Sequence, residues 1–476
     1  MKETKKYEPL RLKPCLRSYL WGGTRLREEY HKTGDGIIAE SWELSVRADG
    51  QTYIDSGAHR GESLADALHA DPCGMAGTRC GIEPFPLLIK LIDAQKDLSV
   101  QVHPSDETAC REKGEQGKTE MWYVVDCEPE STLFLGFSRA VTPDELRQRA
   151  KDGTICEVLN RVAVHPGDVF FVCPGTVHAI GAGILVAEIQ QNSDTTFRVY
   201  DYNRLGADGK PRQLHLERAA EVMNDAPMPG AADTLPPCPP DGVQEVLTCE
   251  YFRVRRAEVK TRVSLSTNGE SFTHLMCVRG EGSILCGGKA YPFRQGDSYF
   301  LPAALGEYSV QGDCNLVLSA CEERKMIQLL DIDPGNWRLD LAVSKEQRTF
   351  VSDRAKLLAR AYAYRAQRSR AFLICADDLP VGMGLYYDEP ELQSYELSQM
   401  FIDERYQGRG YGRAAVRAIL DELKADGRYD KVILCYIEGN ETARKLYESF
   451  GFTETGRDGD EIILELPLLN RQSAHI

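Results

Sequence analysis

The sequence predicts a multidomain protein in which two small, all-β barrels with some helices precede an α+β domain. Its 476 residues exceed what one hydrophobic core holds, because domains typically contain roughly 100–200 residues. Two runs of short, turn-bounded strands flank a proline-rich segment at 226–242, which predicts two separate β units. From about residue 325 helical and strand patterns are mixed, which is typical of an α+β domain.

The composition excludes two classes of partner. The chain carries 57 basic and 72 acidic residues, a net charge of −15, whereas phosphate surfaces attract basic proteins. We therefore expect small-molecule partners, with no nucleic acid and no membrane. Neither a signal peptide nor an apolar run of about 18 residues is visible, so we expect a cytoplasmic location. The 15 cysteines lack CxxC spacing, which favours reduced thiols.

The first barrel is predicted between residues 84 and 204. A continuous apolar run at 86–94 indicates a buried strand, and alternation at 97–104 indicates a strand with two different faces. Helices are expected at 63–69 and at 142–153, the latter capped by Thr142. Further strands are predicted at 119–125, 131–137, 167–173 and 184–190.

The second barrel is predicted between residues 251 and 320, again from short strands with turn signals. A short internal sequence repeat relates the two runs of strands. Gly-Asp at 167–168 precedes an aromatic pair and Pro174, and Gly-Asp at 296–297 precedes an aromatic pair and Pro302. Two related barrels explain this repeat better than one long sheet. No histidine follows Pro302 in the turn at 303–306, so we expect a second barrel without a metal, packed against the first.

The last region predicts an independent α+β domain. A charged hinge and a short strand at 322–336 lead into two helical patterns within 339–365. A hairpin at 371–389 and a strand at 391–403 follow. A glycine-rich turn, a helix at 412–427, a strand at 431–440 and a helix at 441–452 complete the pattern.

Four residues of the first barrel form a candidate metal site. Gln101 and His103 share one face of a strand, because side chains alternate with a period of two. Glu120 begins the next strand, and His178 follows a turn after Pro174. Two imidazoles, a carboxylate and an amide oxygen suit Zn²⁺ or a similar divalent ion. Spacing alone leaves ordinary polar core positions as the alternative.

Seven segments of residues 1–320 occur in an order that is specific to one family. They are YLWGG (19–23), ESWELS (40–45), PLLIKLIDA (86–94), LSVQVHP (98–104), GKTEMWY (117–123), PGDVFFVCPGTVHAI (166–180) and QNSDTTFRVYDYNR (191–204). This part of the chain resembles the type I mannose-6-phosphate isomerases of the short bacterial class. The resemblance implies a double cupin (jelly-roll) fold and a single zinc ion, held by Gln101, His103, Glu120 and His178.

The same resemblance implies the interconversion of mannose 6-phosphate and fructose 6-phosphate through a cis-enediol. A divalent metal lowers the barrier, because negative charge develops on two substrate oxygens. Arg198 corresponds to the family's active-site arginine and is assigned to the transition state or the phosphate, with an ion pair to Asp194 or Asp201 as the alternative. Lys118 and Lys90 are candidates for phosphate contact or proton transfer, or else solvated lysines at strand ends. No residue is assigned as the general base.

A glycine-rich turn follows a strand and opens a helix in the last region. It consists of Gln407, Gly408, Arg409, Gly410, Tyr411 and Gly412. Backbone N–H groups in such a turn suit a pyrophosphate, although the turn alone is not specific. Together, FIDERYQGRGYGRAAV (401–416) and IEGNETARKLYESFGF (437–452) resemble the GNAT acetyltransferases over about 325–470. This resemblance implies acetyl-CoA as a co-substrate whose pyrophosphate lies on the turn.

The GNAT resemblance also implies three residue roles. Asn440 corresponds to the asparagine on the CoA side, and Tyr447 to the tyrosine that protonates the leaving thiolate. Glu396 is a candidate base that acts through water. A packed aromatic and a surface carboxylate are the alternatives for Tyr447 and Glu396. The segments are most similar to diamine or polyamine N-acetyltransferases, and the acidic residues within 388–391 suit a cationic amine or form a solvated loop.

The sequence therefore predicts a bifunctional fusion. We expect an isomerase domain at 1–240, a second, metal-free cupin domain at 243–322 and an acetyltransferase domain at 325–470. Two other interpretations stay open. In one, the first barrel senses a phosphosugar without turnover, which the intact metal and arginine residues disfavour. In the other, only the acetyltransferase is active, or that domain binds CoA as a relic.

Overall fold

The computed structural model describes residues 7–468 apart from 81, 83, 107, 110–115, 207–208, 233–234, 323–326, 345–346, 377–378, 408–410 and 449. The chain divides into two compact units, Met1–Glu323 and Arg324–Ile476. No helix in the described segments is long and apolar enough to span a lipid bilayer.

The first unit is predominantly β. Its described strands are β1 Leu10–Lys13, β2 Cys15–Arg17, β3 Glu40–Leu44, β4 Tyr53–Ile54, β5 Leu87–Ala94, β6 Val100–Val102, β7 Glu120–Cys127, β8 Thr132–Phe137, β9 Leu159–Ala163, β10 Val169–Val172, β11 His178–Ala179, β12 Ile184–Gln191, β13 Phe197–Tyr200, β14 Gly242–Thr248, β15 Phe252–Val259, β16 Arg262–Ser266, β17 Thr273–Cys286, β18 Lys289–Arg294, β19 Ser298–Leu301 and β20 Glu307–Cys321. Its α-helices are α1 Arg25–Glu28, α2 Leu64–Ala70, α3 Pro72–Met75, α4 Pro143–Asp152 and α5 Leu216–Val222, with short 3₁₀ turns at Gly57–His59, Ile155–Val158 and Ala303–Leu305.

The first barrel combines two antiparallel sheets around one core. One sheet has the order β10-β7-β12-β5-β3-β2 and the other the order β13-β6-β11-β8-β9. In the first sheet β5 and β12 pair with Ile89 opposite Ile189, and every residue of both strands is buried. This burial explains the unbroken apolar run at 86–94 and confirms the predicted strand. Trp122 of one sheet and Leu135 of the other belong to the same hydrophobic cluster.

The two predicted helices of this unit are present and begin at polar caps. Thr142 Oγ1 accepts a hydrogen bond from the Glu145 backbone N–H at 3.2 Å, and α4 ends at Gly153 with a φ of 73°. Ser63 Oγ accepts from the Asp66 backbone N–H at 3.1 Å at the start of α2. Such caps stabilise a helix by about 1 kcal/mol, because they satisfy N–H groups that lack a helical partner.

The second barrel is one sheet that also takes strands from the N-terminal region. The order is β14-β15-β20-β17-β19-β1-β4, with β16 beside β20 and β18 beside β17. β1 pairs with β19 through Leu10 and Phe300, and with β4 through Leu12 and Ile54. One hydrophobic core contains buried residues of both barrels, such as Leu44 and Phe300. The two barrels therefore pack against each other, as the sequence predicted.

Two strands of the second barrel are longer than the sequence predicted. β17 and β20 contain 14 and 15 residues, whereas the sequence indicated a pair of short strands in the place of β17. Glycine interrupts the apolar pattern of each strand, at Gly280 with a φ of 80° and at Gly312 with a φ of 155°. These residues let the strands change direction without ending, because glycine tolerates positive φ.

A disulfide bond joins Cys80 to Cys321. Both residues are buried, and their Cα atoms lie 5.9 Å apart. The expectation of reduced thiols is wrong for this pair. The two residues are separated by 241 positions, so no local spacing in the sequence reveals the pairing.

The second unit is a seven-stranded sheet with helices on both faces. Its described strands are β21 Ile327–Asp331, β22 Arg370–Ala376, β23 Leu379–Glu389, β24 Ser394–Ile402, β25 Lys431–Ile437, β26 Thr453–Asp458 and β27 Glu461–Pro467, in the order β21-β22-β23-β24-β25-β27-β26. The helices are α6 Arg354–Ala363, α7 Tyr411–Asp426 and α8 Glu441–Glu448, with short 3₁₀ turns at Gln347–Thr349, Arg365–Gln367 and Glu404–Tyr406. One core lies beneath α7 and α8, and another beneath α6.

Most predicted elements of this unit are confirmed, with two exceptions. Of the two helical patterns within 339–365, only α6 is an α-helix in the described residues. Leu341 and Val343 reach the core beneath α6 from irregular chain, so their apolar spacing reflects tertiary packing rather than a helix. The hairpin of β26 and β27 was not predicted. The parallel pairing of β24 with β25 extends only over Tyr395 and Glu396, and this short pairing positions the site of the second unit.

Candidate functional sites

The structure brings the four predicted metal ligands together inside the first barrel. Gln101 on β6 lies directly opposite His178 on β11, and Glu120 begins β7 in the other sheet. His178 Nε2 lies 3.3 Å from Glu120 Oε1, and His103 Nε2 lies 3.5 Å from Glu120 Oε2. The Gln101 amide nitrogen lies 3.4 Å from His178 Nε2. All four polar groups therefore face one point.

Backbone carbonyl groups orient both imidazole rings. His103 Nδ1 lies 3.1 Å from the Thr195 carbonyl oxygen, and His178 Nδ1 lies 2.9 Å from the Thr176 carbonyl oxygen. A carbonyl oxygen only accepts, so each Nδ1 carries the hydrogen and each Nε2 presents a lone pair towards Glu120. This is the orientation in which histidine binds a metal.

The donor set fits a divalent ion. Glu120 Oε1 is buried and has no hydrogen-bond partner within the described part of the chain. An unsatisfied buried oxygen costs about 1–3 kcal/mol, which a bound cation would remove. Gln101 presents its oxygen to the same point when its amide rotates by half a turn about the last torsion angle. Two imidazole nitrogens, a carboxylate and an amide oxygen match the preferences of Zn²⁺.

Burial dominates the titration of these groups. It lowers the pKa of His103 to about 4 and also lowers the pKa of His178. Burial alone raises the pKa of Glu120, but the adjacent positive charge of Lys118 outweighs it and holds this pKa well below its usual value. The histidines are thus neutral and the carboxyl is ionised at neutral pH, as metal binding requires.

A chain of buried charges of alternating sign continues from Glu120. Lys118 Nζ lies 2.5 Å from Glu120 Oε2 and 4.0 Å from Glu188 Oε1. Lys90 Nζ lies 3.2 Å from Glu188 Oε1 and 3.7 Å from Glu40 Oε2. All five residues are at most 9% exposed, so Lys90 and Lys118 are not solvated lysines at strand ends.

Glu188 and Glu40 belong to this chain, and the sequence analysis missed both. Two indoles also bind these carboxylates. Trp122 Nε1 donates to Glu188 Oε2 at 3.1 Å, and Trp42 Nε1 donates at 2.7 Å to Glu40 Oε2, the oxygen that also faces Lys90. A signal was present for Glu188, because a carboxylate inside the apolar run at 184–190 is buried only with a partner.

Arg198 lies beside the candidate metal site, and none of the acidic residues in the described part of the chain forms an ion pair with it. On β13 it is opposite Gln101 of β6. Its Nη1 donates to the Gln213 carbonyl oxygen at 2.9 Å, and its Nε donates to Ser99 Oγ at 3.3 Å. Arg198 forms no ion pair with any described residue, and Asp201 is instead paired with two other arginines. The predicted alternative, a structural ion pair of Arg198, is therefore wrong.

Glu396 lies where β24 and β25 diverge in the second unit. Its strand neighbour Tyr387 donates a hydrogen bond from the hydroxyl group to Glu396 Oε1 at 2.8 Å. Glu396 is half-buried, and burial raises its pKa while the Tyr387 hydrogen bond opposes that rise. Its partial burial and its hydrogen bond to Tyr387 distinguish Glu396 from an ordinary surface carboxylate.

Tyr447 reaches the same region from α8. It is 8% exposed, packs edge-on against Phe452 with ring centroids 5.7 Å apart, and burial raises its pKa to about 12. The Cys435 thiol lies in electrostatic range of both Tyr447 and Glu396. Both candidate residues therefore act electrostatically on one residue of β25, Cys435. The ring of Tyr447 is therefore packed in the core beneath α7 and α8, as the alternative for this residue expected, and its role as proton donor stays a prediction.

The predicted pyrophosphate turn is described only at its edges. Gly408, Arg409 and Gly410 lie outside the described residues. Gln407 Nε2 donates to the Ile402 carbonyl oxygen at 2.8 Å, and Tyr411 and Gly412 open α7. The described edges are thus Gln407, which follows the 3₁₀ turn Glu404–Tyr406, and the first residues of α7.

Two further polar residues of this unit have structural partners. Asn440 Oδ1 accepts a hydrogen bond from the Ala443 backbone N–H at 3.1 Å, next to the start of α8. Asp388 is buried and pairs with Arg428 at 3.0 Å. Asp388 is therefore neither part of a solvated loop nor free to bind an amine, whereas Glu389 lies in electrostatic range of Glu396.

Three protein families match the chain. The family "Phosphomannose isomerase type I, catalytic domain" matches residues 10–135, and "Mannose-6-phosphate isomerase, cupin domain" matches residues 243–321. The "Acetyltransferase (GNAT) family" matches residues 336–452. These are the families that the sequence motifs indicated.

Individual relatives match each unit separately. Mannose-6-phosphate isomerase ManA of Bacillus subtilis is 39% identical over 321 residues, which cover 66% of this chain and 98% of that protein. The crystal structure of the mannose 6-phosphate isomerase from Bacillus subtilis has a TM-score of 0.61 at 32% identity and covers 66% of this chain and 99% of its own. The spermine/spermidine N(1)-acetyltransferase of Bacillus subtilis is 30% identical over 136 residues, 27% of this chain and 88% of that protein.

We expect His178→Ala to lose its bound metal. The substitution removes one of the convergent donors and leaves Glu120 less compensated, so the metal content after dialysis should fall from about one ion per chain to less than about a tenth of that. Elemental analysis by plasma mass spectrometry measures this content. His165→Ala is the matched control, because the side chain of His165 is 77% exposed. Full metal content in His178→Ala would contradict the site.

Metal affinity should depend only weakly on pH above about 5.5. Protons compete for an ordinary histidine of pKa about 6.5 and weaken binding about tenfold for each ring at pH 5.5. The pKa of His103 is about 4, so this ring hardly contributes. The dissociation constant, measured by titration against a coloured chelator, should therefore change clearly less between pH 7.5 and 5.5 than the roughly hundredfold expected of two ordinary histidines. A hundredfold change would contradict buried neutral ligands.

The same pKa shift should lower the free energy of unfolding of the metal-free protein in acid. The unfolded chain takes up a proton at about pH 6.5 and the folded His103 only near pH 4, so stability is lost as the pH falls through this window. Thermal melting of the apo protein should show this loss, and His103→Gln should reduce it.

Proposed function

Because the chain belongs to the mannose-6-phosphate isomerase family, we propose that its first unit interconverts mannose 6-phosphate and fructose 6-phosphate. The observation that carries this proposal is the convergence of Gln101, His103, Glu120 and His178 at one buried point beside Arg198. A sensing barrel without turnover is less well supported, because nothing in it would require the buried chain of charges that continues from Glu120.

These four residues are the proposed ligands of one divalent ion, which we take to be zinc. The lone-pair orientation of both histidines and the unsatisfied oxygen of Glu120 support this assignment. The bound ion would stabilise the negative charge that develops on the two substrate oxygens during isomerisation. Nitrogen and oxygen donors without a thiolate are compatible with other first-row divalent ions, so the preference for zinc rests on the family resemblance.

Charged side chains around this point would bind the rest of the substrate and move the proton. Arg198 has no acidic partner among the described residues, which supports a contact with the substrate phosphate or with the enediolate. Lys118 lies next to Glu120, which supports a role near the reacting carbons. Lys90 is held between Glu188 and Glu40, and this supports orientation of the charged chain rather than phosphate binding.

We propose that the second unit transfers an acetyl group from acetyl-CoA to an amine. The acetyl-CoA pyrophosphate would bind the turn of Gln407, Gly408, Arg409, Gly410, Tyr411 and Gly412, with Asn440 on the CoA side. Glu396 would take the proton from the amine, directly or through water, and Tyr447 would protonate the leaving thiolate. The raised pKa of Glu396 and the electrostatic interaction of both residues with Cys435 support these roles.

The acceptor is proposed to be a diamine or polyamine. The similarity to a spermine/spermidine acetyltransferase supports this class. We also propose domain limits of 1–240, 243–322 and 325–470, and a cytoplasmic location for a protein whose partners are small molecules.

Removal of the metal should abolish isomerisation. Prolonged chelation and dialysis should lower the rate of fructose 6-phosphate formation at least a hundredfold, because the developing charge then lacks its counter-ion. A coupled assay measures this rate, and stoichiometric zinc should restore it. His165→Ala should behave as wild type throughout. Undiminished activity in protein that elemental analysis shows to be metal-free would refute the mechanism.

Amine-dependent thiol release should identify the acetyltransferase. The wild type should release CoA thiol from acetyl-CoA with putrescine or spermidine, detected with a chromogenic disulfide. Tyr447→Phe should lower kcat about a hundredfold, because the leaving thiolate loses its proton donor. Tyr429→Phe is a matched control, since Tyr429 is only partly buried and packs against Tyr395. Equal kcat for Tyr447→Phe and the wild type would remove Tyr447 from the mechanism.

A further inference from the structure

Tyr387 holds the candidate base Glu396 in place. The two residues face each other across β23 and β24, and the Tyr387 hydroxyl donates to Glu396 Oε1 at 2.8 Å. Tyr387 is only 4% exposed, so its phenol ring has little freedom to turn away. The hydrogen bond therefore fixes both the direction of the carboxylate and its tendency to stay ionised.

Tyr364 extends this arrangement towards solvent. It follows the last residue of α6, and its ring stacks on Tyr387 with centroids 4.3 Å apart and an interplanar angle of 20°. Tyr364 is 36% exposed, in contrast to the buried Tyr387. The stacked pair thus presents one aromatic face next to the carboxylate of Glu396. Aromatic faces attract ammonium groups and pack against aliphatic chains.

The charges around Glu396 favour a cation. Glu389 of β23 and Glu461 of β27 lie in electrostatic range of Glu396, and Arg360 of α6 is the opposing positive charge. Arg360 is also engaged with Ser398, to whose Oγ its Nη1 donates at 3.0 Å. The carboxylates of Glu389 and Glu461 favour a cationic amine over a carboxylate, and the guanidinium of Arg360 opposes them.

We propose that Tyr387 is the positioning residue of the base Glu396 and that Tyr364 supplies the surface along which the cationic, aliphatic acceptor lies. This inference rests on the proposed acetyltransferase function. In the transfer, the acceptor nitrogen forms a bond to the acetyl carbonyl carbon and the carbon–sulfur bond breaks. Glu396 takes the amine proton and Tyr447 gives its proton to the CoA thiolate, so the products are an acetamide and CoA thiol.

The first arm of the test is the pH profile of Tyr387→Phe. The variant keeps the ring and loses the hydrogen bond that stabilises the charged carboxylate, so the acidic limb of kcat/KM for putrescine should move up by about one pH unit. The KM for acetyl-CoA should stay within about twofold of the wild type. A merely structural role would lower the amount of folded enzyme without moving this limb. An unmoved acidic limb overturns the positioning role.

The second arm compares variants of Tyr364. Tyr364→Leu, which removes the aromatic face, should raise the KM for putrescine roughly three- to tenfold with kcat changed less than about twofold. Tyr364→Phe keeps the face and should match the wild type. Tyr362→Leu is the control on the same helix, because Tyr362 is 70% exposed and carries no part of this site. Equal KM values for Tyr364→Leu and Tyr362→Leu overturn the proposed surface.

The third arm uses 4-aminobutanoate, which matches the chain of putrescine but ends in a carboxylate. The wild type should prefer putrescine by at least about tenfold in kcat/KM, and equal use of both would overturn the cationic acceptor. Absence of thiol release from the wild type with every amine would instead remove the acetyltransferase proposal itself. If the wild type transfers the acetyl group and both Tyr387→Phe and Tyr364→Leu have the same kinetic constants as the wild type, only this inference is overturned.

Discussion

Charges held away from water are the constraint on which the first barrel depends. Moving an ion into a protein interior costs several kcal/mol, so Glu40, Lys90, Glu188, Lys118 and Glu120 are tolerable only as neighbours of alternating sign. Removal of Lys90 leaves Glu40 without its lysine partner, and removal of Lys118 does the same to Glu120. The ion pairs therefore restrict the positions of the strands that carry these residues, in addition to packing. The same restriction holds the two histidine side chains in place. A metal site needs such rigidity, since its donors must keep their geometry without the ion.

The candidate site of the second unit is more exposed, and fewer of its described charged residues are buried. Its site lies at a divergence of two strands, where the short pairing of β24 with β25 leaves backbone groups and side chains accessible. Glu396 is half-buried there, so its carboxylate can exchange protons with solvent while Tyr387 limits its motion. An enclosed centre suits a small phosphosugar and an ion. A half-buried carboxylate at a strand divergence suits chemistry in which a proton reaches solvent.

The sequence predicted the features that depend on residues close together in the chain. The alternation around Gln101 and His103, the spacing of Lys118 and Glu120 and the cap at Thr142 each involve residues close together in the chain, and the structure agrees with all three. Long-range features escaped prediction. The strand pairing of Leu10 with Phe300 and the bond of Cys80 to Cys321 depend on register and distance that no short window contains.

The pairing of β1 with β19 has a consequence for the order in which the protein folds. β1 reaches its place only after residues near 300 exist, because Leu10 pairs with Phe300. Closing so long a loop is entropically costly and slow, so this pairing should form late. During synthesis the first barrel therefore exposes part of the core that it later shares with the second barrel. The segment around Leu10 should pair with β19 only after the second barrel has been synthesised. Until then its apolar residues are exposed to water and to aggregation.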